Sequence, residues 1–154
     1  MTRTGWRLVM ENHAATAFDG EGARLYGGRW NSIGVPMVYA SSHQSLAALE
    51  LRVHIDSTSM GMRYKCFSFE FEERLMTTIP AKALPRNWRQ EPPPSVLQER
   101  GDEWVKSGAS VILAVPSVII PREFNYLVNP WHPDFKKLRF SKPFDFAFDQ
   151  RLFQ

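Results

Sequence analysis

The clearest periodic signal is RYKCFSFEFEE, residues 63–73, where Tyr64, Cys66, Ser68 and Glu70 alternate with Lys65, Phe67, Phe69 and Phe71. A period of two puts successive side chains on opposite faces of a strand, so the spacing predicts a half-buried strand. Two shorter apolar runs, WRLVM (6–10) and MVYAS (37–41), predict two more. SVILAVPSVII (110–120) is apolar almost throughout, which predicts a strand covered on both faces and interrupted at Pro116–Ser117. SLAALELRVHI (45–55) predicts a helix capped by Ser41 or Ser42, and SVLQERGDEWVK (95–106) a second helix, weakened by Gly101.

The intervening stretches carry turn formers. Residues 11–36, with turns at Gly20, Gly22, Gly27–Gly28 and Gly34–Pro36, predict a long ordered loop. Loops of that length inside a compact domain are uncommon and often functional. ALPRNWRQEPPP (83–94) and NYLVNPWHPDF (125–135) predict turn-rich segments, and LRFSKPFDF (138–146) and RLF (151–153) late strands. The pattern predicts a single α+β domain over residues 1–154, mainly antiparallel sheet with a few helices.

Composition narrows the function classes. A chain of 154 residues, 44% hydrophobic and 23% charged, suits one globular domain. The net formal charge is +3, and its densest basic cluster is only Lys136, Lys137 and Arg139. No basic stripe interleaved with aromatics is present, so direct nucleic-acid binding is not expected, whereas a small anionic ligand is compatible. Cys66 is the only cysteine, which excludes disulfides within the chain and suits a reducing compartment. No apolar window is long enough to span a membrane, and MTRTGWRLVMENH does not read as a signal peptide, so a cytoplasmic location is expected. His13, His43, His54 and His132 lack metal-ligand spacing, so no metal is expected.

Chemistry concentrates in GGRWNSIGVPMVYASSHQSLAALE, residues 27–50. On a helix turning about 100° per residue, Glu50 falls roughly 40° from Leu46, at the margin of an apolar stripe of Leu46, Leu49 and Val53. A carboxylate there is either a structural ion pair or a functional group. Arg29 follows two glycines, suiting either a phosphate clamp or a tie between the loop and a core carboxylate. Tyr39 reads as a core aromatic on a strand. Ser117 interrupts an apolar run, so its hydroxyl needs a partner, for which backbone suffices. Cys66 has no activating neighbour in sequence.

These residues carry a resemblance. GGRWNSIGVPMVYASSHQSLAALELRVH resembles the signature of the RES-domain family, the toxin halves of RES–Xre toxin–antitoxin pairs, with Arg29, Tyr39 and Glu50 at its central arginine, tyrosine and glutamate. VPSVIIPREFNYLVNPWHPDF resembles the family's later block, with Ser117 at its serine and Asn129–Pro133 at a recurrent turn; Arg7 in the opening WR and the closing FAFDQRLF also match. The stretch 74–108 matches no pattern. The resemblance implies a fold similar to diphtheria-toxin-like ADP-ribosyltransferases, with NAD+ as substrate and no metal. It implies a toxin that cleaves NAD+ at the nicotinamide–ribose bond by hydrolysis or phosphorolysis and so arrests growth. The alternatives are ADP-ribosyl transfer to a cellular protein and a non-catalytic binding module. It implies Arg29, Tyr39, Glu50 and Ser117 as catalytic, and Arg7, Gly28, Arg29, Trp30, Asn31, Tyr39, Ser117 and Asn129 as the NAD+-binding set. The implied partner is an Xre-family antitoxin that blocks the NAD+ pocket, and a toxin homodimer within a hetero-oligomer is compatible with it.

Overall fold

The computed structural model describes every residue of the chain except Met60. Eight strands, β1 (Thr2–Met10), β2 (Val38–Ser41), β3 (Tyr64–Glu72), β4 (Met76–Thr78), β5 (Ile112–Pro116), β6 (Phe124–Val128), β7 (Arg139–Phe140) and β8 (Phe144–Phe146), form one sheet in the order β4-β5-β6-β2-β1-β3-β7, with β8 also pairing β3. Among the described residues, only β4–β5 is parallel. The alternation in 63–73 yields β3, which pairs along its whole length with β1, from Thr2 opposite Glu72 to Met10 opposite Tyr64. The Phe69 ring sits over Gly5, where any Cβ would lie 2.2 Å from it. The ladder thus closes at that point only around a glycine.

Both faces of the central strands are buried. Ile112, Ala114, Tyr126 and Val128 pack with Phe69 and Phe71 on one face. Leu113, Val115 and Leu127 pack on the other with Leu97 and Trp104 of α3 (Ser95–Ser107). The helix α2 (Gln44–Arg52) lies against β1 and β3 through Ala47, Leu8 and Cys66. Among the described residues, no helix is long and apolar enough to cross a membrane.

The single α+β domain with a largely antiparallel sheet matches the expectation from sequence; several boundaries differ. The expected loop 11–36 contains a 3-10 turn (Glu11–Thr16) and a short helix, α1 (Glu21–Tyr26). The segment read as turn-rich holds β6, a central strand. Its asparagines resemble turn formers, but pairing with β2 and β5 decides the conformation. The strand expected over 110–120 stops at Pro116, and residues 151–153 form a 3-10 turn rather than a strand. Neither Ser41 nor Ser42 caps α2. His43 occupies the N-cap without a side-chain bond, because the Ser41 hydroxyl is spent on Asn125 and that of Ser42 on His43.

Candidate functional site

A cavity of about 700 Å³ opens between α2, the β1–β2 junction, the α1-to-Trp30 turn and residues 116–119. That volume lies within the range of small-molecule sites. Arg7, Gly28, Arg29, Trp30, Tyr39 and Glu50 all reach its wall. Arg29 and Glu50 therefore line the same cavity.

Glu50 arrives there because α2 turns Leu46 and Ala47 inward. A residue four positions after one and three after the other sits over that face. Val53, expected in the apolar stripe, lies past the helix end and is 59% exposed. The Glu50 Oε1 atom accepts 2.8 Å from Ser117 Oγ and 2.7 Å from Asn125 Nδ2. Ser117 is wholly buried, and its Oγ also accepts from the N–H groups of Ile119 and Ile120, both at 3.1 Å. With its lone pairs occupied, the hydroxyl directs its proton to Glu50. Asn125 is fixed in turn by Ser41, whose Oγ donates 2.8 Å to its Oδ1. Both partners of Glu50 are neutral, and among the described residues no cation lies within ion-pair distance of it. Of the two readings open from sequence, the structural salt bridge is absent.

The arginines are held differently. Arg7, half-buried on β1, donates through Nε to the Ala17 carbonyl at 2.6 Å and through Nη1 to that of Tyr39 at 2.7 Å. Burial pushes its guanidinium down to about 10, partly offset by Asp19, so it remains a cation at neutral pH. Neither contact neutralises its charge. Arg29 donates Nη1 to the carbonyls of Trp88 and Gln90, each at 3.2 Å, and pairs through Nη2 with the exposed carboxylate of Glu91.

Tyr39 is a hinge for the turn before it. Its hydroxyl donates to Asn31 Oδ1 at 2.6 Å and accepts from the Trp30 N–H at 3.0 Å. Burial raises the phenol above its usual range, so it stays neutral. A Cβ on Gly28 would come within 2.6 Å of that hydroxyl, so the close approach requires glycine. The helix α3 braces the same turn. Gln98 Nε2 donates to the carbonyls of Gly28 (2.9 Å) and Asn31 (3.1 Å), and Asp102 accepts from the Ser32 N–H at 2.9 Å. At Gly101 a Cβ would stand 1.7 Å from the Trp30 carbonyl oxygen, so the residue that weakened the helix reading lets helix and loop touch.

Three expected site residues lie behind the wall. Asn31 is fully buried, its amide donating to the carbonyls of Ala23, Ser32 and Val35. Asn129 is 4% exposed, and its Oδ1 accepts from the Trp131 N–H. Neither is among the residues lining the cavity, and the side chain of each is engaged with backbone. Ser117 acts on the cavity only through Glu50. Sequence reasoning missed Asn125, Gln98 and Glu91, all of which line the cavity. The signal for Asn125 is a lone amide two residues from Leu127 on the same face of an apolar strand. Cys66 is fully buried and burial pushes its thiol up to about 11, which leaves it unreactive.

The RES domain profile matches residues 4–149. A protein of Yersinia enterocolitica named Toxin Res is 40% identical over 96% of this chain and 97% of its own. A Sphingobium protein named Prs ADP-ribosylating toxin is 36% identical over 99% and 98% of the two chains. Among solved structures, a chain of the M. tuberculosis MbcT–MbcA toxin–antitoxin complex superposes with a TM-score of 0.79 at 17% identity, covering 99% of this chain and 87% of that one. That likeness concerns the fold.

Proposed function

The chain belongs to the RES domain family, and from that premise we propose that it is the toxin of a toxin–antitoxin pair, cleaving NAD+ at the nicotinamide–ribose bond by hydrolysis or phosphorolysis. The observation that carries the reading is the single cavity shared by Glu50, Tyr39, Arg7 and Arg29. Breaking that bond passes through an oxocarbenium-like state, and nicotinamide departs as a neutral base, so little acid catalysis is required. A carboxylate beside the ribose steadies the developing cation and holds a ribose hydroxyl. Glu50 suits this task because neutral donors orient it without cancelling its charge. Arg7, which has no carboxylate within ion-pair distance among the described residues, grips the pyrophosphate, and Arg29 assists at the rim. Tyr39, its hydroxyl already engaged, offers its ring to the nicotinamide or ribose.

On this reading the architecture is that of a diphtheria-toxin-like ADP-ribosyltransferase. The partner is an Xre-type antitoxin that blocks the cavity. The second reading, ADP-ribosyl transfer to a protein, is favoured by the name of the Sphingobium relative. Labelled NAD+ incubated with the pure protein and lysate, with and without phosphate, separates the two. Label confined to small molecules supports cleavage; label on a protein band supports transfer. Glu50→Gln lowers turnover by about 100-fold or more. Undiminished turnover in that variant, or none in the unaltered protein, overturns the catalytic reading in favour of a binding module.

A further inference from the structure

The two oxygens of Glu50 are not equivalent. Oε1 receives both hydrogen bonds, from Ser117 and Asn125, while Oε2 has no protein partner among the described residues and the side chain borders the cavity. Two donors converging on one oxygen from different elements fix both the position and the plane of the carboxylate. One donor lies in the turn after β5 and the other within β6. The Asn125 amide is itself held in one orientation. Ser41, 2% exposed, donates to its Oδ1, so the NH₂ end must face Glu50. A flipped amide would turn its oxygen toward the carboxylate and repel it.

Resting on the NAD+-cleaving reading, we infer that Asn125, locked by Ser41, is the positioning residue that anchors Glu50 Oε1 and so commits Oε2 to the ribose. The titratable groups on the same wall are Arg7, Tyr26, Arg29, Tyr39, His54 and Glu91, and none of them hydrogen-bonds Glu50. Asn125 and Ser117 are therefore the direct controls on the carboxylate.

The test compares Asn125→Ala, Asn125→Asp and Ser41→Ala with the unaltered protein, using NAD+ as substrate. Asn125→Ala lowers kcat by roughly 10- to 100-fold with KM changed less than about threefold, the range seen when an orienting partner is removed. In Asn125→Asp the acid limb of the kcat–pH profile moves to higher pH, because a second carboxylate beside Glu50 disfavours its charged form. Ser41→Ala lowers kcat in the same direction but less, since it frees the amide without deleting it. A raised KM at unchanged kcat would make Asn125 a substrate contact and overturn the inference. An unmoved acid limb would do the same.

Carboxyl-carbon NMR titration of Glu50 supplies a readout independent of turnover, and the melting temperature of each variant identifies failed folding. Ser41→Ala carries the test if Asn125 variants do not fold. If the unaltered protein does not cleave NAD+ but the Glu50 titration rises in Asn125→Asp, the functional reading fails and the clamp stands. If cleavage is intact and neither kcat nor the titration responds, the clamp fails alone.

Discussion

Two parts of the cavity wall hold their charges in opposite ways. Glu50 is fixed by two neutral side-chain donors, buried Ser117 and half-buried Asn125, and its charge is left uncancelled. Arg29 instead rests on two backbone carbonyls and on Glu91, whose carboxylate is 76% exposed and meets its charge. Arg7 stands between these cases: it is hydrogen-bonded only to carbonyls, and Asp19 acts on its charge from beyond ion-pair distance. On the proposed NAD+-cleaving reading, the Glu50 side suits fixed geometry, and the Arg29 side suits exchange, because a pyrophosphate reaching Arg29 would compete with a side chain already there.

Three changes break or sharpen that contrast. Arg7→Ala has the largest expected effect. It removes the cavity arginine that has no carboxylate within ion-pair distance among the described residues, and ADP-ribose binding measured by calorimetry in a Glu50→Gln background weakens by about 30-fold or more, on the order of 2 kcal/mol. The pH profile gives the same group a signature. Anion binding needs the protonated guanidinium, which burial holds at about 10, so affinity is flat through neutrality and falls as pH rises past that value. A flat profile to higher pH assigns the anion to Arg29 instead.

Gly101→Ala comes next. Its methyl would meet the Trp30 carbonyl at 1.7 Å, and overpacking of this kind costs about 1–3 kcal/mol. The melting temperature falls by several degrees, and KM for NAD+ rises more than kcat falls, because the displaced loop carries Arg29 while α2 stays in place. Equal changes in both constants would mean that the two parts of the wall are mechanically coupled. Glu91→Gln has the smallest effect. Relieving Arg29 of its exposed partner lowers KM by about two- to threefold at low salt, and the difference disappears at high ionic strength. A raised KM would show instead that Glu91 orients Arg29 for the ligand.

The parts of this arrangement legible in the sequence are those in which local pattern and tertiary context agree. The alternation of Tyr64 to Glu72 gave β3 directly, and the inward position of Glu50 followed from helical spacing, although Val53 is not on the buried side. Arg7, Arg29 and Tyr39, singled out in the sequence, all line the same cavity. The missed strand, β6, has Asn125 near its start and is followed by Asn129–Pro130, residues whose local preference is for turns. The side chains of Asn31 and Asn129 bond to backbone, a role that a one-dimensional reading does not show. Partners such as Gln98 and Glu91 come from a stretch without recognisable pattern. Their meaning exists only once α3 has docked against the loop.

The pairing of β2 with β6 has a consequence for the order in which the cavity is assembled. Tyr39 and Glu50 are synthesised early, yet β2 meets β1 only at Trp6 and Ser41 and takes its longer ladder from residues 125–128. The Ser117 and Asn125 bonds to Glu50 arrive with that same late stretch. The wall around Glu50 therefore closes only after residues 117–128 have been made and released, well after the segment carrying Tyr39 and Glu50 itself.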